Sequence, residues 1–122
     1  VALTREEIKA KRGVRPREAV DVPELGGTVY VAKFSAKDRD RFEEIVTGGI
    51  PGKVNLRNVR AQVATLLCVN EDGTRLFDES DAEWLGDLDT DAVQKIIDAG
   101  FRLNGIKGNA IEAAAGESNG DR

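Results

Sequence analysis

The chain has 122 residues, 40% of them apolar and 33% charged, with a formal net charge of -4. That size suits one domain with a modest core, and no apolar run reaches the roughly 20 residues of a membrane-spanning helix. One cysteine and no histidine leave no intrachain disulfide and disfavour a zinc site, which draws on several such ligands.

The net charge hides a division. Residues 1–60 carry 13 Lys/Arg and 9 Asp/Glu, or +4, whereas residues 61–122 carry 5 and 13, or -8. Such polarity suits a partner, or a second copy, approached by charge complementarity. Nucleic acid is a poor fit, because the basic residues are interleaved with acids and no aromatic platform accompanies them. The N-terminal "VALTREEIKAKRG" lacks the apolar core of a signal peptide, so the expected location is the cytoplasm.

In chain order, Thr4 and Glu7 form a capping box that predicts a short helix over 4–11 with a thin apolar face of Leu3, Ile8 and Ala10. "KRGVRPRE" follows as a basic linker, so residues 1–17 are expected to be separate from the domain and free to move. Ala19–Val22 and Thr28–Phe34 are β-rich runs joined by Pro23-Glu24-Leu25-Gly26-Gly27, which predicts a hairpin. Ser35, with Asp38 three residues on, starts a helix whose apolar side holds Phe42, Ile45 and Val46. The glycine-rich 48–52 stops it. That loop lacks the Gly-Lys-Ser/Thr of a phosphate cradle, since Gly52-Lys53 is followed by Val54.

Asn55 or Asn58 is the expected cap of a strongly apolar helix over 59–69, with Val59, Val63, Leu66 and Leu67 on its buried stripe. Cys68 prolongs this run and reads as a buried thiol, because no histidine is present to activate it. "VNEDGTRLF" reads as a small turn or hairpin with Asp72-Gly73 at its tip. Ser80 and Glu83 suggest a capping box for a helix of about two turns. Asp89 or Thr90 begins another, with Val93, Ile96, Ile97, Phe101 and Leu103 buried and Asn104-Gly105 at its end. A short helix over 109–115 and a frayed tail over 116–122 complete an α+β domain, mostly helical, with four to six short helices and an N-terminal β-hairpin. The domain proper spans 18–115.

The acidic stretch "LFDESDAEWLGDL" carries the functional question. Asp87, Asp89, Asp91 and Asp98 have part of a calcium-loop spacing, but Ala92 stands where the sharp turn needs glycine, and the last ligand is not Glu. The same acids serve a helix N-terminus. Paired-carboxylate hydrolysis needs two groups held across a cleft, and here the acids crowd one element. No catalytic residue, cofactor or metal ligand is assigned. Trp84 and Leu85, with Leu88 behind them, either dock the segment on the core or anchor a partner within an acidic rim. The candidate partner-binding residues are therefore Phe34, Phe42, Trp84, Leu85 and Phe101, with Asp81 and Asp87 in the acidic steering field.

"LTREEI", "EAVDVPELGGTVYVAKFSAKDRDRFEE" and "NVRAQVATLLCVNEDGTRLFDESDAEWLGDLDTDAVQKIIDAGFRLNGI" resemble, in order and local phrasing, the tail assembly chaperones of long-tailed bacteriophages. The likeness covers about residues 3–115. Gly26-Gly27 with Val29 and Val31 match the hairpin, Arg39 to Phe42 the charged helix, and Asp72, Gly73, Leu76 and Phe77 the turn. Leu25 stands where the pattern carries tryptophan, and Gly108-Asn109 where it carries acidic helix formers. The resemblance implies a non-catalytic protein that binds the tape-measure protein in the host cytoplasm during tail tube assembly. It also implies that the protein meets the tail tube protein and is absent from the finished virion. Self-association is a further expectation. The alternatives are a small intracellular adaptor or regulatory protein, and a structural component of the tail.

Overall fold

The computed structural model describes residues 1–48 and 57–112. Elements run α1 (Arg5–Lys9), β1 (Arg17–Val22), β2 (Gly27–Ala32), α2 (Ala36–Thr47), α3 (Val59–Leu67), β3 (Cys68–Val69), α4 (Ala82–Leu85) and α5 (Thr90–Asn104). The domain is α+β and mostly helical, with the expected N-terminal hairpin. The loop over 49–56, Asn55 and the tail over 116–122 lie outside the described residues, as does the end of the helix expected over 109–115. Residues 110–112 are helical.

Local chemistry sets most helix starts. The Thr4 hydroxyl accepts from the Glu7 amide and the Glu7 carboxylate from the Thr4 amide, closing the capping box of α1. Ser35 accepts from the Asp38 amide to start α2, and Asp89 accepts from the amides of Asp91 and Ala92 to start α5. The hairpin closes through a 3-10 turn over Pro23–Leu25, with Gly26 at φ 78, a left-handed position that favours glycine. Its register pairs Arg17 with Ala32 and Val22 with Gly27. Strand β2 ends at Ala32, so Phe34 lies beyond the sheet.

Three local expectations are corrected. The apolar run over 59–69 is not one helix: α3 ends at Leu67, and Cys68-Val69 pair with Val31 and Tyr30 as β3. An apolar run this short fits a helix and a strand equally by periodicity, and the open edge of β2 decides. Asn58 stands at the N-terminus of α3 in a left-handed conformation but does not cap it with its side chain. Its amide instead donates to the Ala82 carbonyl at 2.8 Å, tying α3 to α4. Ser80 is not the cap of the acidic segment. Asp78 takes that position, with Asp81 as the reciprocal partner, and the Ser80 hydroxyl donates to Asp78. Residues 79–81 form a 3-10 turn that leads into the single turn of α4.

The core gathers Val22 and Val31 of the hairpin, Phe42 and Ile45 of α2, most of α3, and Val93, Ile96, Ile97 and Phe101 of α5. Where α3 meets α5, a Cβ on Gly100 would lie 2.5 Å from Leu67 Cδ1, so a larger residue there would force the buried Leu67 side chain to move. Phe34, Phe42 and Phe101 form a ladder, with centroids 5.6 and 5.7 Å apart. That spacing is suited to tilted and edge-on aromatic contact. Asn104 fastens the end of α5 to the end of the hairpin. Its Oδ1 accepts from the Phe34 amide at 2.7 Å, and its Nδ2 donates to the Gly100 carbonyl at 2.8 Å and the Ala32 carbonyl at 3.4 Å. Asp38 draws Arg15 (3.1 Å) and Arg75 (3.4 Å) onto the start of α2.

Asn104→Ala is expected to cost about 1–3 kcal/mol in urea unfolding with little change in m, because it strands backbone groups that water reaches poorly. Burial pushes the Cys68 thiol up to about 12. Native protein at pH 8 should therefore be alkylated at Cys68 at least about 100-fold more slowly than denatured protein, as read by mass spectrometry over time.

Candidate functional site

The acidic segment, the hairpin turn and helices α3 and α5 meet around one apolar cleft of about 190 Å³. Leu25 and Val29 enter it from the hairpin, Ala64 from α3, and Val93 and Ile96 from α5. Phe77, Trp84, Leu85 and Leu88 close the remaining side. The sequence brings them together because a two-residue apolar stripe on α5 faces a hairpin whose turn carries leucine instead of a polar residue. Leu25 is 43% exposed and Trp84 is 48% exposed, so the mouth of the cleft is open to solvent.

Trp84 is held in place. Its ring stands edge-on to Phe77, with centroids 5.6 Å apart at 80°. Its indole N–H donates to Asp81 Oδ1 at 2.9 Å, while Asp81 Oδ2 accepts from the Asp78 amide at 3.0 Å. One carboxylate therefore serves the turn and the indole together. The Asp78 carboxyl is held below the usual carboxylate range by the hydrogen bond from the Ser80 hydroxyl, helped by the Ser80 and Asp81 amides and by Arg75. This cap is consequently charged at neutral pH and is lost as pH falls through its lowered value. Glu24 is likewise lowered by its bond to Lys95, which joins the hairpin turn to α5 beside the cleft.

From Leu76 to Asp91 the chain has Asp78, Glu79, Asp81, Glu83, Asp87, Asp89 and Asp91 and no lysine or arginine. Glu79 is paired with Arg41 of α2 at 2.6 Å. Glu83 and Asp87 are exposed on either side of Trp84 in sequence. The cleft is thus walled on one side by a strongly acidic segment, a surface that attracts cations from a distance and holds apolar side chains on contact.

The candidate residues divide. Phe42 is 7% exposed, Leu85 2% and Phe101 1%, so all three are buried, and of them only Leu85 reaches the cleft wall. Phe34 is half-buried against Phe42. The expectation of an exposed aromatic set fails because α2 packs on α3 with Phe42 turned inward, edge-on to Phe101 of α5, a contact that no single helix reveals. Trp84 is exposed at the cleft, Asp87 is exposed beside it, and Asp81 orients the indole. Sequence reasoning missed Leu25, Val29 and Phe77 as cleft residues. The available signal was Leu25, an apolar residue inside a turn of Pro, Glu and Gly.

A second, open recess lies between α2 and the acidic segment, lined by Lys37, Asp38, Asp40, Arg41, Glu44, Arg75, Asp78 and Glu79. Its charges are largely spent on one another, through Arg41 with Glu44 and Glu79 and Arg75 with Asp38. Among the described residues no group of three or more His, Cys, Asp or Glu is placed to hold a metal ion, and Cys68 is buried. The Asp89 carboxylate is engaged with the amides that open α5.

No protein-family model matches the chain, and no curated protein matches it. Among solved structures it is similar to the tail assembly chaperone of bacteriophage HK97, with a TM-score of 0.56 and 18% sequence identity over 73% of this chain and 81% of that one. At that identity the likeness is one of fold, so this chain has a fold remotely similar to that of a phage tail assembly chaperone.

Proposed function

We propose that this chain is a non-catalytic phage tail assembly chaperone that binds the tape-measure protein while the tail tube assembles. The observation that carries the reading is the half-exposed Trp84 over an apolar cleft, within a strongly acidic segment, on a fold similar to that of the HK97 chaperone. A client that is long and helical presents apolar stripes flanked by charge. A shallow cleft of this size takes one or two client side chains at a time, and the surrounding carboxylates select clients with lysine or arginine beside the stripe.

No nucleotide is needed for such a cycle. Each copy binds with moderate affinity, many copies line the client, and tube subunits that offer more contact displace them in turn. The chaperone then acts in the host cytoplasm, meets the tube protein at the growing end and leaves before the virion is complete. A perturbed acid–base pair beside the cleft would have pointed to catalysis. The lowered carboxyls there, Asp78 and Glu24, are instead stabilised in their charged forms by partners that hold the fold.

The test is coexpression with the tape-measure protein of the same genome, followed by affinity capture. Natural protein should retain the client, and Trp84→Ala should weaken capture by about tenfold or more while keeping its circular dichroism spectrum. Undiminished capture by a folded Trp84→Ala protein would move the client surface away from the cleft. A soluble client that natural protein never captures would discard the reading in favour of an adaptor or a virion component.

A further inference from the structure

We propose that Asn104-Gly105 is a self-modifying site: the fold protects it, and a chain that opens there is deamidated and cannot rebuild the junction of α5 with the hairpin. The chemistry needs no partner. The Gly105 amide nitrogen, once base has taken its proton, attacks Asn104 Cγ. A bond forms between them, the Cγ–Nδ2 bond breaks, and Nδ2 leaves as ammonia. Water then opens the five-membered imide at either carbonyl and leaves an aspartyl or an isoaspartyl residue, the second with an extra methylene in the backbone. Glycine makes the approach fast because it presents no Cβ in the path of the attack. An Asn-Gly pair in an unfolded chain therefore decays by this route, and this chain has two such pairs, at Asn104 and Asn119.

At Asn104 the fold blocks each step. Asn104 is the last residue of α5, so its ψ is held near the helical value, and ring closure needs a more extended one. The Gly105 amide donates to the Arg102 and Phe101 carbonyls, which keeps its proton in place. The Asn104 side chain is clamped at both ends, with Oδ1 accepting from the Phe34 amide at 2.7 Å and Nδ2 donating to the Gly100 carbonyl at 2.8 Å and the Ala32 carbonyl at 3.4 Å. Bulk does not shield the pair, because Gly105 is exposed and a Cβ there would meet nothing within 4 Å. Protection is thus conformational and ends when the last turn of α5 opens. The product does not fit the place it came from. A carboxylate still accepts from the Phe34 amide, but it has no proton for the Gly100 and Ala32 carbonyls and sets a negative charge against them. In the isoaspartyl form the added methylene also shifts Gly105 from its left-handed position at φ 68. One opening becomes a lasting loss, whichever partner the chain serves.

The experiment follows the full chain in mildly alkaline buffer with and without guanidinium chloride, by ammonia release and by peptide mapping that separates Asn104 from Asn119. Conversion at Asn104 should be at least about tenfold slower in the folded chain. Through the unfolding transition its rate should rise in step with the unfolded fraction seen by circular dichroism. Gly105→Ala should slow conversion of the denatured chain by at least about tenfold, even though the left-handed φ makes the folded variant less stable. Chains converted in denaturant and returned to buffer should stay unfolded or unfold at a lower urea concentration than unconverted chains, a measurement that needs no variant. Equal rates at Asn104 with and without denaturant would overturn the proposal. So would a denatured Gly105→Ala chain that converts as fast as the natural one, or converted chains that regain the natural urea midpoint.

Discussion

The contact of Leu67 with Gly100 governs how the rest of the chain is laid out. Glycine in the middle of a helix costs roughly 1 kcal/mol relative to alanine, yet Gly100 stands within α5, where the Leu67 side chain occupies the space a Cβ would need. That close approach sets α3 against α5, and α3 then delivers Cys68 and Val69 to the open edge of β2. The three-stranded sheet, the turn over Asn70 to Thr74 and the position of the acidic segment all follow from where α3 ends. In the turn, Asp72 Oδ1 accepts from the Thr74 amide and hydroxyl, and Gly73 takes φ 92, so the chain reverses at once and returns toward α3.

The second organising constraint is polar. Asn104 satisfies the backbone at the junction of β2 and α2 while bonding back to its own helix at Gly100. Side-chain amides suit such a position because they donate and accept at once. The phenylalanine ladder lies on the same junction and supplies the apolar half of the contact. This junction ties α2, α5 and the hairpin together at the C-terminal end of α5. The cleft lies on the other side of the hairpin turn, where a short 3-10 turn and one turn of α4 hold Trp84 with few residues.

Electrostatics act at two ranges. Close in, the acids of the 78–91 segment are structural: Asp78 and Asp81 build a cap, Asp81 orients the indole, Asp89 opens α5 and Glu79 holds Arg41. Farther out, the same carboxylates sum to an acidic face opposite in sign to the N-terminal arm. The chain needs no trade between the two roles, because a carboxylate that accepts hydrogen bonds from amides keeps its charge.

What the sequence by itself determined was most of what residues three or four apart set, the Asp78–Asp81 cap excepted: the caps at Thr4, Ser35 and Asp89, the hairpin closed at Gly26, the left-handed ends at Gly48 and Gly105, and the amphipathic face of α5. Those interactions are made within one turn or one hairpin, so local spacing specifies them. Tertiary structure alone decided that Leu85 is covered while Trp84 is not, that Cys68-Val69 leave the helix for the sheet, and that Asn58 bonds across to Ala82 instead of capping its own helix. It also decided that Leu25, Val29 and Phe77 share a cleft with Trp84. Burial is a property of which faces meet, and the faces that meet here come from segments tens of residues apart. An amphipathic stripe states that a face must be covered, and only the packed chain states by what.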